Sequence, residues 1–161
     1  MRLYALQHLG TRYEAAPPAW RERLRSLVRG LESGPAAGTA LVLGRQWDPA
    51  SRDDPAAVRQ ALGMAADPAR PVDVRVTALH AAGGDASCLP AARSIAADAS
   101  QPVILRKAAI SLIGRHGGPE DIGLLGRCSS ESGRLAQAGE PAARALRGRL
   151  AGPPAPAPAP F

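Results

Sequence analysis

The sequence predicts an all-α protein, an α-solenoid built as a superhelix of stacked antiparallel helix pairs. Three observations predict it. First, Pro71-Val72-Asp73-Val74-Arg75-Val76-Thr77-Ala78-Leu79 recurs 31 residues later as Pro102-Val103-Ile104-Leu105-Arg106-Lys107-Ala108-Ala109-Ile110, and both copies run on to a glycine at the same place, Gly83 and Gly114. A helical repeat of this length marks units that each bury an apolar face on a neighbour. Second, 45 % of the residues are hydrophobic but only 3 % aromatic. The core is therefore Ala, Leu, Ile and Val, which suits closely stacked helices and gives little to a β-sandwich. Third, apolar positions recur at helical spacing between segments punctuated by Gly and Pro.

Taken in order, Arg2–Gly10 has the shared pattern R-x-x-A-(L/I)-x-x-apolar-G, matching Arg75–Gly83 and Arg106–Gly114. The small Ala admits a close neighbour, Leu or Ile fills the gap, and Gly is expected to end the helix in a left-handed cap. Trp20–Glu32 is the clearest amphipathic helix. Leu24, Leu27, Val28 and Leu31 share one face, and Arg21, Arg25 and Arg29 lie one turn apart on another. Ala36–Gly44 is a weaker copy of the pattern, and 46–53 reads as a loop. Asp54 caps the next helix with Pro55 at its first position, and Val58, Ala61, Leu62 and Ala65 form the buried stripe.

The helix from about Val72 to Ala82 breaks at Gly83-Gly84, and Ser87 is placed to cap a short helix over Cys88–Ala97. Gln101-Pro102 resets the chain for a helix over Val103–Arg115. Pro119 opens the next, with Glu120 and Asp121 placed for its dipole. In the last unit, Arg134–Leu150, Pro141 should break the helix because it has no N–H and clashes with the preceding turn. One domain is expected over 1–151, followed by a Pro/Ala-rich tail, 152–161, too poor in apolar bulk to fold and expected to be disordered. Leu27, Leu62, Leu79, Ile95, Ile110, Leu112 and Leu125 are the predicted buried residues.

With Val72-x-x-Arg75-x-x-Ala78-Leu79 and Gly83, Leu105-Arg106-Lys107-Ala108-Ala109-Ile110 and Gly114, and Gly118-Pro119-Glu120-Asp121-Ile122 ahead of Leu124-Leu125, the chain resembles the HEAT-repeat family of armadillo-like proteins. It is most similar to the short, phycobilisome-lyase-like HEAT repeats common in bacteria. The resemblance is good over 71–128, fair over 2–10 and weak over 36–44 and 134–150. It implies a HEAT-like solenoid. Members of the family mostly bind other proteins, while a few bind or modify DNA and a few attach bilins. The motif carries no catalytic residue, so none is carried over, and a likeness of fold is an associational guide to function.

The formal net charge is +6, and Lys107 is the only lysine among 20 basic residues. Richness in Arg, Ala, Gly and Pro together points to a GC-rich coding sequence as the source of the basicity; a nucleic-acid partner is the other explanation. Arg75 and Arg106 recur with the fold pattern, so they are expected to bridge to acids or carbonyls of adjacent repeats rather than to form a ligand ladder. His8, His80 and His116 lack any HxxxH or HxH spacing, and Cys88 and Cys128 lie on apolar faces, so no metal site, cofactor or nucleophile is expected. Gly83-Gly84 and Gly117-Gly118 follow helices and do not form a phosphate loop.

The resulting expectation is a non-enzymatic scaffold or adaptor that binds an unidentified protein partner. The alternative is nucleic-acid binding through Trp20, Arg21, Arg25 and Arg29, with Trp47 also available for stacking. No apolar leader and no stretch approaching a membrane span occur in the chain as given, so a cytoplasmic location and no membrane partner are expected.

Overall fold

The structure, a computed structural model, describes residues 13–31, 36–47, 54–84, 86–131 and 133–152. The Arg2–Gly10 pattern, His8, most of the predicted 46–53 loop and the tail beyond Gly152 lie outside them. Among the described residues there are eight α-helices and no strand. These are α1 (Pro18–Gly30), α2 (Ala37–Trp47), α3 (Pro55–Ala66), α4 (Val72–Ala82), α5 (Leu89–Ala97), α6 (Val103–His116), α7 (Ile122–Ser130) and α8 (Ala136–Ala151). Single 3-10 turns, Ala86–Cys88 and Pro119–Asp121, lead into α5 and α7. Ser87 thus lies inside a 3-10 turn, and Cys88 holds the N-cap position of α5.

Helix starts follow the local chemistry. Pro18 and Pro55 sit in first turns, where a missing N–H costs nothing. The Asp54 side chain accepts from the Ala56 N–H at 2.9 Å, as its capping role requires. The sequence repeat becomes a repeated joint. α3 and α5 both end on an aspartate in extended conformation, Asp67 and Asp98. Each carboxylate accepts from the N–H two residues on, that of Ala69 or Ser100, at 2.9 Å. Pro71 and Pro102 then hold the N-cap positions of α4 and α6 with nearly the same backbone angles.

Contacts sort the helices into rows. α2, α4, α6 and α8 pack each on the next, and α3, α5 and α7 do the same more lightly. Across the rows α3 packs on α4, α5 on α6 and α7 on α8, while α1 packs on α2. One apolar core, made of Ala, Leu, Ile, Val, Met64 and the two cysteines, runs from α2 to α8. A smaller core of Tyr13, Val28, Ala40, Leu43 and Trp47 joins α1 to the other side of α2. Leu79, Ile95, Ile110, Leu112 and Leu125 are buried as predicted, and Leu62 is partly buried against the main core.

Leu27 was expected inside and is 52 % exposed. α1 has its main contact with α2 alone, so only the narrow stripe of Leu24, Val28 and Leu31 is covered and Leu27 falls at its edge. Pro141 does not break α8. It lies early in the helix with its ring exposed, so one backbone hydrogen bond is lost, while Ala142, Ala143 and Leu146 bury the face beyond it. The repeated glycines are not left-handed caps either. Gly83 ends α4 at φ −80°, and Gly114 lies inside α6. Among the described residues, Gly133 and Gly152 are the glycines with positive φ. The repeated pair serves close packing instead. A Cβ on Gly83 would run into the Leu112 side chain, and one on Gly114 would meet Ala142 Cβ at 2.9 Å.

Candidate interaction surface

The repeated arginines are built into the joints between helices. Arg75 Nε donates to the Ala65 carbonyl at 2.9 Å, and its Nη2 donates to Gln101 Oε1 at 2.7 Å. One repeat later, Arg106 donates from Nε and Nη2 to the Ala96 carbonyl at 3.0 and 2.9 Å. It also clamps Glu131 through two hydrogen bonds of 2.8 and 2.7 Å. Both side chains are buried. A carbonyl at a helix C-terminus has lost its intrahelical partner, and a guanidinium supplies both the hydrogen bond and the charge that the dipole favours there. The hydrogen bond from Arg106 holds the Glu131 carboxyl below its usual range and raises the guanidinium's own pKa. These arginines are structural, as their recurrence with the fold pattern predicted.

Arg93 plays a comparable part that the sequence reading missed. It donates from Nε and Nη2 to Asp121 at 2.7 and 2.8 Å and reaches Glu120 at 2.6 Å. Asp121, buried at the entry to α7, also accepts from the Gly118 N–H at 2.9 Å. The Arg93 bond is the first cause of its depressed pKa. The acids read as dipole partners are thus chiefly anchors for α5. In the turn that precedes Asp121, Arg149 donates to the Gly117 carbonyl, and His116 Nε2 lies 3.1 Å from the Gly83 carbonyl, where it must donate.

The predicted nucleic-acid face on α1 is present but largely engaged. Arg21 donates to the Ala16 and Glu14 carbonyls at 2.7 and 2.6 Å. Arg25 and Arg29 share Glu22 at 2.8 and 3.2 Å. Trp20 is 58 % exposed with the Arg23 guanidinium 5.9 Å from its ring. Trp47 is unavailable for stacking on a base: it is buried, parallel to Tyr13 at 4.6 Å between ring centroids. That ring pair packs the small core between α1 and α2.

A different surface emerges between α6 and α8. A groove of 380 Å³ lies over the close approach of Gly114 to Ala142. Lys107, Ser111 and Arg115 form its α6 wall; Gln137, Pro141 and Ala145 are on the α8 side. Residues 107, 111 and 115 are one helical turn apart and so share a face, which Ile104, 59 % exposed, extends by another turn. Neither Lys107 nor Arg115 forms an ion pair among the described residues. His80 on α4 feels Arg115: burial first, then that charge, lowers its pKa, so the imidazole is neutral at pH 7. The sequence singled out Lys107 only as the lone lysine. The groove was illegible because its walls are thirty residues apart in the chain.

Among the described residues no group of three His, Cys, Asp or Glu side chains is placed to hold a metal ion, and no helix is long and apolar enough to cross a membrane. Cys88 and Cys128 are buried. Burial raises the Cys128 pKa, which leaves it protonated and a poor nucleophile at neutral pH. Comparison of the chain with protein-family models, with curated proteins and with solved structures finds no match.

Proposed function

We propose that this chain is a HEAT-like α-solenoid that works without catalysis, as an interaction scaffold or adaptor for a protein partner in the cytoplasm. The observation that carries the reading is the repeated joint: Arg75 on the Ala65 carbonyl and Arg106 on the Ala96 carbonyl, one repeat apart, with matching aspartate and proline turns. Residues that recur here are used to stack helices. What varies between units is the solvent face, and in repeat proteins that face is what binds. The two rows of helices and the continuous core fit the same reading.

The nucleic-acid alternative draws on exposed Trp20 and the arginines of α1. Arg21, Arg25 and Arg29 already have carbonyl or carboxylate partners, so binding a phosphate backbone would first have to displace them. The deciding experiment is capture of partners from native lysate by the tagged protein, with and without nuclease. A specific protein retained after nuclease and in moderate salt is the expected result. Capture that disappears with nuclease would overturn the scaffold reading and promote the α1 face, to be checked with Arg21→Ala/Arg25→Ala/Arg29→Ala in a DNA anisotropy titration.

A further inference from the structure

We infer that the groove between α6 and α8 takes an extended, acidic peptide segment of the protein partner, with small apolar residues between two carboxylates about four positions apart. This rests on the scaffold reading and adds to it the location and chemistry of the bound segment.

Three features lead to that occupant. The first is charge. Lys107 is half-buried and Arg115 exposed on the same wall, and neither has an acidic partner among the described residues. Arg106 and Arg93, which also line helix contacts, are neutralised by carboxylates. Two uncompensated cations beside a groove attract anions and reject basic segments. The second is the floor. Between the two cations the groove is lined by Ala138, Pro141, Ala142 and Ala145 on α8, so its cross-section suits small apolar side chains. Ser111 and Gln137 supply hydrogen-bonding groups for a peptide backbone at the rim. The third is spacing. Lys107 and Arg115 are eight residues apart on one helix, about 12 Å along its axis. An extended chain covers that span in about four residues, and carboxylates four apart in such a chain point the same way. A nucleic-acid strand is the poorer fit: it carries charge at much closer intervals, and the groove offers two cations and no aromatic ring for a base.

The test uses the full chain and a display library of random dodecapeptides. Selection on the wild-type protein should enrich peptides with two Asp or Glu residues four apart and Ala, Gly or Pro between them. The double variant Lys107→Glu/Arg115→Glu should bind those peptides at least about tenfold more weakly, with a steeper loss in the wild type than in the variant as salt rises. Arg115 is exposed and Lys107 is half-buried at the groove wall, and neither has an ion-pair partner to lose among the described residues, so far-UV circular dichroism and the urea midpoint of the variant should match wild type. A second variant, Arg21→Ala/Arg25→Ala/Arg29→Ala, should leave peptide binding unchanged. Selection that yields no binder, or binders without acidic residues, overturns the inference, and so does acidic-peptide binding that survives charge reversal in the groove. A labelled single-stranded oligonucleotide that binds, and is lost in the groove variant while no peptide is selected, also overturns it and names nucleic acid as the occupant. Partner capture from lysate separates the two levels. Capture that persists in the groove variant leaves the scaffold standing with its contact elsewhere, while loss of capture by wild type on nuclease treatment removes the scaffold itself.

Discussion

Replacing Gly114 by Ala sets two effects of opposite sign against each other. Gly114 sits inside α6 in helical conformation. On backbone grounds alone, Ala at a helix-interior glycine stabilises by about 1 kcal/mol, because glycine loses more conformational freedom on folding. Packing opposes this. The new Cβ would stand 2.9 Å from Ala142 Cβ, 3.0 Å from its Cα and 3.2 Å from its carbonyl oxygen. Ordinary carbon contacts lie at about 3.5–4.0 Å, so α8 must retreat by roughly 0.5–1 Å, and a gap of that size forfeits about a quarter to a half of each dispersion contact it opens. Two of the three opposing atoms belong to the backbone, so no rotamer change relieves the clash. Overpacking of this kind costs about 1–3 kcal/mol, and a rigid opponent places it in the upper part of that range. The net expectation is a loss of about 1–2 kcal/mol.

Gly63 supplies the control. It is exposed in α3, and a Cβ there meets nothing within 4 Å. Gly63→Ala should therefore stabilise by about 0.5–1 kcal/mol. Urea unfolding followed by circular dichroism reads both variants, and for a chain of this size each kcal/mol moves Tm by about 2–4 °C. Gly114→Ala should melt below wild type and Gly63→Ala above it. If both variants stabilise alike, the close approach of α6 and α8 is not what selects glycine at 114, and the packing argument fails.

Arg106→Met should cost about 2–3 kcal/mol by stranding the Ala96 carbonyl and emptying a charged hydrogen-bond site, whereas Glu131→Gln should cost under about 1 kcal/mol because that side chain is 44 % exposed; urea titrations of both variants compare them, and equal costs would place the value in the ion pair instead of the joint. Leu79→Asp puts an unpaired charge at a fully buried position and should unfold or aggregate the chain; a wild-type melt would refute the proposed register of α4. Asp98 has its pKa held down to about 2, first by the Ser100 hydroxyl and then by Gln101, and Asp121 is lowered by Arg93. Both folded values lie below the ordinary one of about 3.9, so their stabilisation is whole above about pH 4 and is lost as pH falls through the folded values. Asp98→Asn should flatten the dependence of unfolding free energy on pH between about 4 and 2, and an unchanged slope there would remove Asp98 from the acid limb.

Where the repeat is strong, the sequence carried both the helices and their reason. The offset from Pro71 to Pro102 marked α4 and α6, and Arg75 and Arg106 proved to be joint residues, as expected of a side chain that recurs together with the repeat. Periodicity located faces less well. Leu27 satisfies a helical stripe, yet whether a stripe is covered depends on how many neighbours the helix has, and α1 has α2 as its main one. Gly114 and Pro141 failed for a related reason. Glycine and proline state what a backbone permits, while neighbouring helices decide whether the permission is used for a turn or for a close contact.

The same distinction bears on the chain's basicity. A net charge of +6 invites a polyanion as partner only if the cations are free to meet it. Arg75, Arg93, Arg106 and Arg149 are held by carbonyls and carboxylates between helices, and Arg21, Arg25 and Arg29 by partners within the first helical unit. Guanidinium suits this work because it offers several donors in a fixed plane and keeps its charge when buried. A stack of Ala-rich helices has few large side chains with which to lock its joints, so arginine takes that role, and a basic composition follows from helix packing before any ligand is considered. The charge that matters for binding is the part left over. Lys107 and Arg115 are left over beside a groove, and an overall pI could not have distinguished them from the arginines that hold the helices together.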